Sequence, residues 1–88
     1  MKWEQVREKY PDCWILFEAL EAHSDNGKRI IDDISVVGDF GASKDALNAY
    51  KECHRKDPSR EYYYIHTKKQ KLDIFERKWL GVLAPALL

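Results

Sequence analysis

An α+β fold, a small antiparallel sheet of about four strands packed by one main helix with a short N-terminal helix, is what this 88-residue chain predicts. Two observations carry the prediction. Residues 43–58, SKDALNAYKECHRKDP, have helical signals that agree from start to stop. On each side of them lie two apolar, strand-like runs, 14–22 and 28–40 before and 61–67 and 74–82 after. A chain of this length has material for one core, so 1–88 reads as a single domain, small enough for a partner or second copy to matter to its stability.

Trp3, Val6 and Tyr10 fall at i, i+3 and i+7, one helical face, and Pro11 stops the pattern. Trp3 is expected to anchor this helix to the core, with Glu4 meeting Arg7 on its outer side. Residues 14–22 admit two readings. As a strand, Ile15, Phe17 and Ala19 share one face and Trp14, Leu16 and Leu20 the other; as a helix, Trp14, Phe17 and Leu20 align. Glu, Ala and Leu favour the helix, whereas Trp-Ile-Leu-Phe and the turn chemistry of Ser24-Asp25-Asn26-Gly27 favour a hairpin, and the strand is preferred. In a regular strand over 28–40, Asp32 would share a face with Ile30, Ile34 and Val36, so a bulge at Asp32-Asp33 is expected; a helix over 29–37 is the rival.

For the main helix, Ser43 is the expected N-cap, with Asp45 in the first turn. Leu47, Tyr50 and His54, flanked by Ala46 and Cys53, are its expected inner stripe. Glu52 can pair with Lys56, and Pro58 ends the helix. Residues 61–67, EYYYIHT, form the clearest strand, with Tyr62, Tyr64 and His66 on one face and Tyr63, Ile65 and Thr67 on the other. Thr67 and Gln70 fit a capping box, which predicts a helical turn over 68–72. Residues 74–82 read as the last strand, with Phe75, Arg77 and Trp79 on one side and a helix over 68–80 as rival. The apolar tail 83–88 is expected to dock or to take part in association.

An apolar share of 44% and a charged share of 34% are globular values that exclude a disordered chain. The net charge of zero divides unevenly, −4 over residues 1–43 and +4 over 44–88, which either pairs across the sheet or leaves two opposite faces. No apolar run approaches the ~20 residues of a membrane helix. Cys13 and Cys53, with no signal peptide ahead of them, read as free thiols in a reducing, cytoplasmic setting.

Chemistry-bearing patterns are sparse. His23, His54, His66, Cys13 and Cys53 lack metal-ligand spacing, so no metal or cofactor is expected. Cys53 and His54 cannot work as a nucleophile pair, because adjacent helical residues diverge by about 100°. Glu18, Asp32, Asp33 and Glu76 interrupt apolar strands and are expected to pair with Arg29, Arg77 or Lys78 rather than act as paired acids. Gly38 and Gly41 lack the context of a phosphate loop. What stands out is a basic and aromatic stretch over 55–71, comprising Arg55, Lys56, Arg60, Tyr62, Tyr64, His66, Lys68, Lys69 and Lys71. These nine are the candidate partner-binding residues. Interleaved with Tyr63 and followed by Trp79, they could also stack and hold single-stranded RNA, although the glycine-aromatic signature of such binders is missing.

Four segments, VREKYPDCW, LFEALEAHS, REYYYIHT and LDIFERKWLGV, together resemble a group of small uncharacterised bacterial proteins. The resemblance runs in the same order along nearly all of the chain to Val82, while the tail beyond departs from the basic end expected of the group. It implies a gene often placed beside one for a retropepsin-like aspartic protease, and no mechanism. The functional expectation is therefore a non-enzymatic, cytoplasmic protein-interaction module, such as an antitoxin-like, inhibitor or regulatory adaptor protein, with self-association as one mode. Single-stranded RNA binding through 55–71 is the alternative.

Overall fold

The computed structural model describes residues 1–79 and 82–85, with side chains through Phe75. Along the chain run α1 (Trp3–Lys9), β1 (Trp14–Asp25), β2 (Lys28–Phe40), α2 (Ser43–Lys56), β3 (Tyr62–His66), β4 (Ile74–Trp79) and β5 (Val82–Pro85). The strands form one antiparallel sheet in the order β3-β1-β2-β4-β5. The α+β class and both helices are as the sequence predicts, with β5 as a short fifth strand. Leu80, Gly81 and residues 86–88, on which parts of the last-strand and tail expectations fall, lie outside the described residues. Among the described residues no helix is long and apolar enough to cross a membrane.

The β1–β2 hairpin is the spine. Its two-residue turn has Asn26 at φ 50° and Gly27 at φ 82°, the pair of positive values that a type I′ turn requires and whose twist matches that of the strands it joins. Three register shifts interrupt the ladder, leaving Val37, Leu20 and Asp32 as the unpaired extra residues. The bulge expected at the Asp pair is thus present at Asp32. It frees that carboxylate from the apolar row, and Asp32 Oδ2 lies 2.6 Å from His23 Nδ1. Leu20 does not join Trp14 and Leu16 inside, because its bulge leaves it 53% exposed.

The buried cluster lies on the α1 face, where Trp3 anchors the helix to the core as expected. Ile15, Phe17, Ile34, Tyr63, Ile65 and Ile74 pack there with Trp3 and Val6. Seven residues suffice to cover this face because α1 is pinned at its ends. Gln5 accepts a hydrogen bond from the Lys2 amide, Trp3 Nε1 donates to the Lys69 carbonyl at 2.8 Å, and Arg7 Nε donates to the Thr67 carbonyl at 2.8 Å. Arg7 thus reaches the β3 end rather than the expected Glu4.

Helix α2 covers the opposite face. Leu16 and Ala46 are buried there, and Tyr50 packs its ring on Tyr64 at 5.6 Å. Its inner stripe is thinner than predicted: Leu47, Tyr50 and Cys53 are half-buried and His54 is exposed, since so few apolar side chains turn inward over fourteen residues. Ala42, not Ser43, is the N-cap, without a side-chain hydrogen bond, and Glu52 pairs with Arg55 rather than Lys56. The helical turn predicted over 68–72 does not form. Thr67 is 3% exposed and its hydroxyl is committed to β1, accepting from the Cys13 amide at 3.1 Å and donating to the Cys13 carbonyl at 3.2 Å. The hydroxyl is thus turned to Cys13 at the strand end and not to the start of a helix.

Candidate functional site

Strand β3 is an edge, paired with β1 alone among the described residues. The backbone bonds Ala19 N–H to Glu61 O and Thr67 N–H to Cys13 O fix which residues face β1. By the alternation of an antiparallel ladder, Glu61, Tyr63, Ile65 and Thr67 turn their backbone groups to β1, and Tyr62, Tyr64 and His66 turn theirs outward. One outward carbonyl, that of His66, is taken by the Lys69 amide at 3.1 Å.

The outward three also carry side chains on the α2 face, where rings adjoin in series. His54 and Tyr50 stack with centroids 5.9 Å apart, Tyr50 meets Tyr64, Tyr64 meets Trp14 at 6.1 Å, and Trp14 meets His66 edge-on at 5.3 Å. Register explains the last two contacts: Trp14 sits opposite His66 and Leu16 opposite Tyr64, as non-hydrogen-bonded pairs whose side chains approach closely. Burial, then the neighbouring Tyr64, pushes the Tyr50 phenol above its ordinary value. These rings serve as packing between α2 and the sheet. Tyr64 itself is half-buried between the Tyr50 and Trp14 rings, both tilted against it.

Basic groups gather at both ends of the strand. At its start Arg60 bridges Glu18 at 3.3 Å and Asp57 at 2.7 Å, while Arg55 and Lys56 occupy the last turn of α2. At its end Lys68 reaches Asp12 at 3.4 Å and its amide donates to His66 Nδ1 at 3.0 Å. Among the described residues no carboxylate lies within ion-pair distance of Lys56, Lys69 or Lys71. Lys71 sits apart from the strand, on an open cleft of about 550 Å³ whose lining includes Lys2, Lys28, Trp3, Ile31 and Leu72. The structure therefore places Arg60, Lys68 and Lys69 at the ends of β3 beside Tyr62, Tyr64 and His66, keeps Arg55 and Lys56 on α2, and assigns Lys71 to a different surface.

Among the described side chains the carboxylates pair otherwise than predicted, Asp32 with His23 and Asp33 with the N-terminal amine, while the side chains of Glu76, Arg77 and Lys78 lie outside the described residues. Glu18 takes Arg60, and Arg29 takes Glu61 at 2.8 Å. Sequence reading missed Trp14 and Tyr50 as members of the ring series and Glu61 as the partner of Arg29. The first two were visible as aromatics on the right faces, but only the register brings them together. Both cysteines are free thiols, and no three His, Cys, Asp or Glu side chains gather to hold a metal ion among the described residues. Comparisons with protein-family models, with curated proteins and with solved structures find no match to this chain.

Proposed function

We propose that this chain is a non-enzymatic protein-interaction module, working as an antitoxin-like, inhibitor or regulatory adaptor protein in the cytoplasm, and that it meets its partner along β3 and its basic flanks. The observation that supports the reading most is the open edge of β3, a row of outward backbone groups on a strand of three tyrosines, isoleucine and histidine. Such an edge is a template for another strand. Packed rings on the α2 face give the alternative, single-stranded RNA binding, less support than the edge gives to protein binding.

The test is recovery of the tagged chain from extract of its host cells, with the mass of each recovered species measured. The reading expects a stoichiometric protein partner or self-association; a lone monomer, or ribonuclease-sensitive nucleic acid in place of protein, overturns it. The gene neighbour implied by the resemblance makes a retropepsin-like protease the first partner to try.

A further inference from the structure

We infer that β3 is a self-pairing edge: two copies of this chain join antiparallel about a two-fold axis at Tyr64, so that one sheet runs through both. The inference rests on the protein-interaction reading and narrows it to one mode, with a second copy as the partner.

The open stretch of the edge is short and closed at both ends. Tyr62, Tyr64 and His66 turn their backbone groups outward, but the next amides on that side are spent. Arg60 N–H donates to the Asp57 carbonyl at 3.2 Å, and Lys68 N–H donates to His66 Nδ1 at 3.0 Å. Tyr64 is therefore the centre of what remains. An antiparallel copy sharing that centre sets Tyr64 against Tyr64 and, on either side, Tyr62 against His66, each pair exchanging N–H and C=O bonds. The His66 carbonyl already accepts from the Lys69 amide and has a second lone pair for this purpose. A register shifted by two residues would bring up one of the spent amides, so the centred register is the one that fits.

Edges that avoid such pairing carry proline, a charge or a bulge. On the other side of β1 at this level lies β2 beyond Ile34, which is bulged at Val37 and bears Asp39. Residues 62–66 contain no proline and no Lys, Arg, Asp or Glu, and they pair with β1 without a register shift. With protection on β2 and none on β3, contact between copies closes as a two-fold dimer instead of growing head to tail.

Counted with their partners, the end charges favour this arrangement. Before the strand, Arg60 lies between two carboxylates, Glu18 at 3.3 Å and Asp57 at 2.7 Å, and Glu61 is matched by Arg29. Arg55 and Lys56 attend Glu52 on α2. After the strand, Lys68 and Lys69 stand with one carboxylate, Asp12, 3.4 Å from Lys68, and Arg7 joins them at the Thr67 carbonyl. One end thus has a carboxylate in surplus and the other a cation. An antiparallel copy brings each surplus beside its opposite at both ends of the ladder, which a parallel copy does not.

A ladder of five residues is a small interface, so the dimer is expected to be weak and in fast exchange. Sedimentation of the wild type from micromolar to millimolar concentration is expected to show a reversible monomer–dimer equilibrium, severalfold weaker in high salt. In a mixture of isotope-labelled and unlabelled chains, NMR is expected to show Tyr63 Hα of one copy in contact with Ile65 Hα of the other, the non-hydrogen-bonded pair of this register. A monomer throughout, or a dimer without that contact, overturns the inference.

Tyr62→Pro removes one outward N–H at a position where an edge tolerates proline, whereas Tyr62→Thr keeps it. Dimerisation is expected to weaken at least tenfold in the first alone, and equal dimerisation of the two variants overturns the ladder. Lys68→Glu with Lys69→Glu leaves both ends acidic and is expected to weaken the dimer severalfold; an unchanged dimer overturns the choice of a second copy by charge. A wild type that stays monomeric yet brings a stoichiometric protein from cell extract sinks the self-pairing edge and leaves protein interaction standing, whereas a monomer that brings none sinks both.

Discussion

Arg29 and Glu61 are joined by two hydrogen bonds, Nε to Oε2 at 3.0 Å and Nη2 to Oε1 at 2.8 Å, although strand β1 runs between β2, which carries Arg29, and β3, into which Glu61 leads. The Tyr63 hydroxyl donates to the same carboxylate. Burial raises the Glu61 carboxyl, yet the hydrogen bonds from Arg29 and Tyr63 outweigh it and hold the group below its ordinary value. Burial, then the bond to Glu61, pushes the Tyr63 phenol far up, so it remains a donor.

Glu61→Gln takes a carboxylate away from the half-buried Arg29 guanidinium, and a hydrogen bond to a charged group is worth about 1.5–3 kcal/mol. We expect a loss near the lower end, about 1.5 kcal/mol, because both side chains keep roughly a quarter of their surface in water. The sign with pH follows from linkage. A carboxyl lowered in the folded state contributes stability that is fully present above its unfolded value of about 4.3, and that contribution disappears as pH falls through the folded value. Urea denaturation should show the full difference between wild type and variant at neutral pH and a shrinking one below about pH 4. A difference that stays constant across that range sinks the assignment.

Trp3→Ala tests which helix secures the core. The side chain is 8% exposed, its ring lies 6.0 Å from Phe17, and its indole N–H reaches Lys69. Truncating a buried aromatic costs about 3–5 kcal/mol, a large share of the stability of a small domain. Leu47→Ala on the much longer α2 is half-buried and should cost clearly less. Thermal unfolding of the two variants in parallel decides the order.

Gly27→Ala strains the hairpin turn without any clash, since a Cβ there meets nothing within 4 Å while φ is +82°. The expected loss is about 1–2 kcal/mol, the cost of a side chain in left-handed backbone. Asn26→Gly, which relaxes the neighbouring position, should change stability by less than about 0.5 kcal/mol. Chemical denaturation midpoints of both variants provide the comparison.

Cys13 should be a sluggish nucleophile. Burial, then the charge of Asp39, pushes its thiol above the ordinary value against the opposing bond with Thr67, and Sγ donates to the Tyr10 carbonyl at 3.3 Å. In a Cys53→Ser background, alkylation at neutral pH followed by mass spectrometry should run slower than for a free cysteine peptide, and urea should abolish the lag. A rate matching the peptide in the folded protein would contradict this environment.

Local signals were enough for much of the fold. Asn26-Gly27 between two β-rich runs specifies the hairpin, the conflict of Asp32 with Ile30 and Ile34 specifies a bulge, and the alternation in EYYYIHT sets Tyr63 on the face opposite Tyr62 and Tyr64. These depend on the backbone geometry of a few adjacent residues, which composition and spacing encode. Ser43 and Thr67 show where local signals mislead: either side chain can cap a helix, but Thr67 gains more from closing the β1–β3 ladder at Cys13. The charge of residues 55–71 was visible from the start, yet its meaning depended on β3 lying at an edge.

By itself, then, the sequence determined the two helices, the hairpin turn, the bulge and the alternation of Tyr62 to His66, because these follow from interactions between near neighbours. Only the tertiary structure decided that the seven residues of α1 cover the buried cluster, that Arg29 reaches over β1 to Glu61, and that Tyr62, Tyr64 and His66 turn their backbone outward. Those outcomes are set by strand order and by which long-range contacts win the competition for a few hydrogen bonds, and no local pattern carries that information.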